Sequence, residues 1–247
     1  MQVYLNRIDG WDDAILTMFY SKRTITREFE EEVRRIVYAN TNHDPDFGVI
    51  GELSPNTSKG WSQFNSWLTT LFKWLPHHIT MGRFLDFSFT VYGMHRAGQD
   101  DWDAHAQRYN NRIIRSSTRL ADFKGGEMSE YYEGKILPTD VALAALGITT
   151  PDELEYEGQT YVRAVNGYIL KGMENSKDVK RGLYMLSIPS NFIFKVNLTE
   201  FAHVYKERRN EGTAAPEVKT ACERMVDALF DASLGYVSRR ILTDIKN

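Results

Sequence analysis

From Leu85 to Gly93 the side chains alternate: Leu85, Phe87, Phe89 and Val91 are apolar, and Asp86, Ser88, Thr90 and Tyr92 between them carry polar atoms. Successive side chains of a strand point to opposite faces, so this stretch predicts a half-buried strand. Such a strand needs sheet neighbours and a layer over its apolar face. Trp61, Phe64, Trp67, Leu68, Leu71 and Leu75 recur with the helical period, and Pro76 stops that helix. The tryptophan-rich face reads either as core or as a stacking platform for a base or a flavin.

The rest of the chain alternates between the same two periods. Residues 2 to 6 read as a short strand. Thr26 is placed to cap a helix running to about Tyr38, with Phe29, Val33, Ile36 and Val37 on its apolar side. Asn40 to Lys59 is polar, with two prolines and two glycines, and reads as a loop that is either a lid or a disordered connection. A helix is expected from Asp100 to about Tyr109, and another over residues 139 to 147, closed by Gly147. Glu155 to Leu170 reads as a β-hairpin, with Asn166-Gly167 as a second turn. Leu183 to Val196 predicts a core strand whose start is broken by Pro189 and Ser190. Asn197 or Thr199 opens a helix carrying Phe201, Val204, Tyr205 and Arg208. Pro216 opens the next, with Val218, Cys222, Met225 and Leu229 inward, and a short amphipathic helix follows Gly235. The expected fold class is α+β, a mixed β-sheet flanked by helices, in one domain spanning residues 1–247.

Arg108, Arg112, Arg115 and Arg119 are spaced by four, three and four. On a continuous helix they would line one face, either as a solvated surface or as a stripe awaiting a phosphate or carboxylate. If Asn110-Asn111 breaks the helix, Arg112 to Leu120 leaves it as a loop or short strand, and the arginines gather around a pocket. The net charge of -3 and pI near 6.1 argue against a general nucleic-acid binder, so the arginine cluster is local.

The single cysteine, Cys222, forms no intrachain disulfide and reads as a core residue. No apolar run approaches the roughly 18 residues of a membrane span, so no membrane partner and a cytoplasmic location are expected. His77 and His78 are adjacent, point in different directions and lack a nearby partner ligand, so no metal is expected. The phosphate-cradling GxxxxGK[ST] loop, the GxGxxG turn and GxSxG are all missing.

Residues 181 to 219, RGLYMLSIPSNFIFKVNLTEFAHVYKERRNEGTAAPEVK, resemble the C-terminal half of flavin-dependent thymidylate synthases, with Arg181, Asn197 and Arg208 at that family's spacing. Upstream, FSFTVYGMHR is similar to the family strand that leads into its first long helix. QRYNNRIIRSSTRL occupies the place of the family's Arg-His-Arg, seven residues, Ser-x-Arg-Tyr signature. The likeness covers roughly residues 60 to 120 and 181 to 230. It departs from the family in the triplet, where only Arg108 is an arginine, at Arg115 in place of an acidic residue, and at Leu120 in place of the tyrosine.

The resemblance implies that Ser117, Arg119 and Arg181 face a nucleotide and that Arg208 reaches the pyrimidine, with Ser117 and Arg208 as the catalytic pair. Arg108, Asn197 and His203 would touch the flavin, with His78 and Thr80 approaching it. FAD is the implied cofactor, with NADPH and methylenetetrahydrofolate as co-substrates and dUMP or UMP as substrate. The site would be shared between subunits of a homotetramer, and the hairpin at 155 to 170 would replace sequence that is helical in relatives. A guanidinium beside the uracil carbonyls stabilises the charge that develops when C5 attacks a one-carbon unit, and arginines on the phosphate orient the ring. Three other readings remain: a UMP or modified-pyrimidine C5 transferase of a phage or antibiotic pathway, a non-catalytic nucleotide-binding homologue, and a basic-helix nucleic-acid binder.

Overall fold

The computed structural model describes residues 1–22, 24–106, 112–115, 129–164, 166–176, 179, 183, 186–210 and 214–244. Among these the strands are β1 (Gln2–Asp9), β2 (Asp86–His95), β3 (Arg112–Arg115), β4 (Glu153–Tyr156), β5 (Gln159–Ala164), β6 (Gly167–Leu170) and β7 (Pro189–Asn197). The helices are α1 (Trp11–Tyr20), α2 (Arg27–Ala39), α3 (Trp61–Trp74), α4 (Arg96–Ala106), α5 (Thr139–Ala145), α6 (Leu198–Asn210), α7 (Pro216–Ala232) and α8 (Tyr236–Asp244). Contacts divide the chain into two compact units. One holds residues 2–91, 101–114 and 193–247; the other holds Met1, 92–100 and 115–192.

The larger unit is built on a four-stranded sheet of order β1-β2-β7-β3. The alternation read from β2 is present: Phe87, Phe89 and Val91 are fully buried, while Asp86, Ser88 and Thr90 are only part-buried. Phe201 of α6 lies over this face, its ring centroid 5.6 Å from Phe89 and 6.2 Å from Phe87. Trp102 of α4 meets Phe194 of β7 edge-on at 5.2 Å. Each buried phenylalanine removes enough apolar surface to stabilise the fold by about 1.5–3 kcal/mol, so this aromatic layer sets the angle at which α6 crosses the sheet. Pro189 opens β7 at a first-residue position, where no ladder donor is lost, so the expected strand from Leu183 begins only there.

Helix α2 starts as expected, with the Thr26 hydroxyl accepting the Phe29 N–H. The stretch from Asn40 to Lys59, expected as a lid or a disordered connection, is ordered. Asn40 is fully buried; its side-chain amide donates to the carbonyls of Ile36 and Lys59 at 2.8 and 3.0 Å and accepts the Asn56 N–H at 2.9 Å. One carboxamide thus ties both ends of the loop to the end of α2. Isolated bridges pair Arg7 with Ile50 and Thr41 with Leu53.

In the smaller unit, β4, β5 and β6 form an antiparallel meander with Glu153 opposite Val162 and Tyr161 opposite Leu170. Strand, turn, strand with a second turn at Asn166-Gly167 was expected over 155 to 170, and the described residues form three strands, the third starting at Gly167. Glu157 and Gly158 both have positive φ, which a two-residue turn with the twist of its strands requires. The expectation of one mixed sheet is therefore corrected, among the described residues, to two sheets, the smaller wholly antiparallel. Replacing Asn40 with Ala is expected to cost about 2–3 kcal/mol in urea unfolding, because it strands buried backbone groups. Thr26→Ala should cost only about 1 kcal/mol. Equal, negligible losses would contradict an ordered loop.

Candidate functional site

Helix α6 presents two faces of different chemistry. The Asn197 carboxamide oxygen accepts the Glu200 N–H at 3.0 Å and so starts the helix. Phe201, Val204, Tyr205 and Arg208 are buried on one side. Thr199, His203 and Lys206, spaced i, i+4 and i+7, share the other.

Against that second face lies a 3-10 turn, Ile79–Phe84, with His78 at its N-cap position. The Thr199 hydroxyl donates to the Ile79 carbonyl at 2.6 Å. Gly82 allows this approach, since a Cβ there would stand 2.6 Å from the same hydroxyl oxygen. Between turn and helix opens a cavity of about 360 Å3. Leu75, Pro76, Ile79 and Leu198 give it an apolar wall; Thr199, His203, Lys206 and Arg240 give it a polar one. An apolar surface with a few convergent donors is the usual make-up of a small-molecule site.

Of the residues singled out from sequence, His203 lines this cavity, and His78, Thr80 and Asn197 belong to the elements that form it. His78 and Thr80 are exposed. Arg108, Ser117, Arg119 and Arg181 lie outside the described residues. Arg112–Arg115 is a strand, so the four arginines do not line one continuous helix; Arg115 instead pairs with Asp100 at 2.8 Å. No group of three or more His, Cys, Asp and Glu side chains suited to a metal occurs among the described residues.

Arg208 is buried and anchored. Its Nη1 stands 2.9 Å from the Asp101 carboxylate, and its Nη2 donates to the Asp101 carbonyl. The other carboxylate oxygen accepts the Ala215 N–H at 3.1 Å, immediately before Pro216 opens α7. Asp101 therefore serves both the guanidinium and the positive end of a helix dipole. The Arg208 Nε is buried without a partner, leaving one donor unused. Cys222 is fully buried, and burial pushes its thiol pKa far up, so it stays protonated and is no nucleophile.

The sequence reading omitted Thr199, Lys206, Arg240 and Asp101. The i, i+4, i+7 spacing of Thr199, His203 and Lys206 was the available signal for the first two. The contacts of Asp101 and Arg240 join residues far apart in the chain, and no local pattern marks them.

The fold has counterparts among solved structures. The chain is similar to thymidylate synthase X (ThyX) from Helicobacter pylori, solved with FAD and dUMP, at 10% identity over 100% of both chains with a TM-score of 0.55. It is also similar to a second structure of the flavin-dependent thymidylate synthase ThyX from Helicobacter pylori, complexed with FAD and dUMP. There the identity is 11% over 93% of this chain and 94% of that one, and the TM-score is 0.51. At such identity the likeness is one of fold. No family model matches the chain, and no curated protein matches it.

Asp101→Ala should destabilise the protein by about 3–5 kcal/mol, since it leaves a buried guanidinium uncompensated. In a double-mutant cycle with Arg208→Met, the second substitution should recover part of that loss; strictly additive effects would contradict the pairing. Ellman's reagent at pH 8 should label no thiol in the folded protein and one after denaturation.

Proposed function

We propose that this chain is an FAD-dependent enzyme that transfers a one-carbon unit to C5 of a uracil nucleotide. Its most natural form is conversion of dUMP to dTMP with methylenetetrahydrofolate as carbon donor and NADPH as reductant. The observation that carries the reading is the cavity between Ile79–Phe84 and α6, where the elements bearing His78, Thr80, Asn197 and His203 meet within a ThyX-like fold. The donor set suits a flavin nucleotide: an apolar wall for a flat ring system beside imidazole, ammonium and guanidinium groups for an anionic tail.

When bound, flavin supplies the reducing equivalents. His203 lines the proposed flavin cavity, and His78, Thr80, Asn197 and Arg108 are assigned to the same cofactor. Arg119, Arg181 and Ser117 are assigned to the nucleotide, with the two arginines holding its phosphate in an oriented encounter. Arg208 is assigned to a uracil carbonyl, where a positive group stabilises charge developing on the ring. This reading gives no role to Cys222, which is fully buried and held in the thiol form by burial. We place the site in a single 247-residue domain assembled as a homotetramer whose subunits share residues.

One observation favours a second reading. Arg208 is committed to Asp101, as befits a nucleotide-binding homologue that retains the fold without catalysis. Flavin uptake and turnover separate the two. On the first reading the purified protein is yellow or takes up added FAD, binds dUMP or UMP, and loses nucleotide affinity about tenfold or more in Arg119→Ala and in Arg181→Ala, the scale of one charge-assisted contact. Colourless protein that rejects FAD contradicts the enzyme. Unchanged nucleotide affinity in both variants contradicts the residue assignment.

A further inference from the structure

Two neighbouring arginines of α2 are placed differently. Arg34 is committed to α1, pairing with Asp12 and, at 2.9 Å, with Asp13. Arg35 is exposed and forms no ion pair among the described residues, and the same holds for Lys59 at the far end of the following loop. The buried Asn40 carboxamide donates to the Lys59 carbonyl at 3.0 Å, which holds Lys59 against the end of the helix that bears Arg35. Both cations border a recess of about 740 Å3 with Tyr38, Gln63 and Glu32, so two cations face one carboxylate there.

Tyr38 gives this recess an aromatic wall. Its ring is 66% exposed and stacks on His43 with centroids 3.9 Å apart and 13° between the planes. The stack is held in place: the His43 Nε2 stands 3.0 Å from both the Tyr38 carbonyl and the Thr41 hydroxyl. That hydroxyl gives its own proton to the Val37 carbonyl, so the imidazole N–H is the donor to both. His43 borders an adjoining recess of about 460 Å3 and not the one that holds Lys59, which leaves the other face of the phenol ring to meet a planar group beside Lys59. Neither recess shares a lining residue with the cavity between Ile79–Phe84 and α6.

We propose that Tyr38, Arg35 and Lys59 form a second ligand site, which takes an aminopurine nucleotide. The base stacks on the open face of Tyr38, and the phosphate lies between Arg35 and Lys59. The guanidinium fork matches phosphate oxygens and the ammonium adds a mobile point charge, so the site selects the nucleotide over its nucleoside. Gln63 and Glu32 meet the edge of the base, the carboxylate accepting from its amino group. The recess has the roughly 300–1,000 Å3 usual for a small-molecule site. The site stands independently of the flavin reading.

Isothermal titration calorimetry of the intact chain with AMP and with adenosine tests it. The wild type should bind AMP about a hundredfold more tightly than adenosine, about tenfold for each charge-assisted contact. Arg35→Gln/Lys59→Gln should erase that difference by weakening AMP alone. Tyr38→Ala should weaken both ligands about tenfold, the scale of base stacking on an aromatic ring. Circular dichroism verifies folding, and each single cation variant carries the test at about tenfold should the double variant not fold. Lys206→Gln, in the other cavity, should leave AMP affinity within about twofold. Failure of the wild type to bind AMP, unchanged AMP affinity in the Arg35 and Lys59 variants or in Tyr38→Ala, or a loss in Lys206→Gln overturns the site.

Discussion

A hydroxyl seated against a glycine holds the candidate site together. Thr199 reaches the carbonyl of Ile79 only because Gly82 has no side chain to fill the space between turn and helix. Gly10 performs a similar service behind the turn. It has φ near 87°, and a Cβ there would overlap the Phe84 carbonyl oxygen, so a side chain would meet both backbone strain and a steric clash. With the turn seated in this way, the apolar residues at the end of α3 and the polar face of α6 border one cavity.

What orients α6 lies on its other side. Phe201 against Phe87 and Phe89 contributes several kcal/mol of apolar burial, and the pairing of buried Arg208 with part-buried Asp101 fixes rotation about the helix axis. Exposed ion pairs such as Arg27–Glu31 are worth about 0–1 kcal/mol and cannot compete. The inward face of α6 therefore determines where Thr199, His203 and Lys206 point. Packing and the proposed binding function sit on opposite sides of one helix, so a substitution on either side has a separable effect.

The elements legible in the sequence were those whose signals are local. The alternation in β2, the period of α3, the Thr26 cap, and Pro216 at the start of α7 all act within a few residues, and each has its expected place. Helix α1 was not anticipated: it starts from Gly10 in a left-handed conformation with no side-chain cap, and Asp12 and Asp13 in its first turn were its only early mark. Asn40 to Lys59 looked unstructured because its order depends on one buried carboxamide reaching 16 and 19 residues ahead. In the candidate site, His203 was legible through family resemblance, while Lys206 was passed over although it shares a helical face with His203. Asp101 was not legible, because its ion pair closes across 107 residues of chain. Sequence pattern reports periodicity and caps; it does not report which distant charges meet.

The central claim is that the recess between Ile79–Phe84 and α6 is where a flavin nucleotide binds. Hydrogen–deuterium exchange with and without saturating FAD addresses it by location as well as by affinity. The account predicts slowed amide exchange in peptides covering residues 78 to 84 and 198 to 206, with little change in the β4–β6 meander. Exchange that is unaltered in both segments while FAD is demonstrably bound would contradict it.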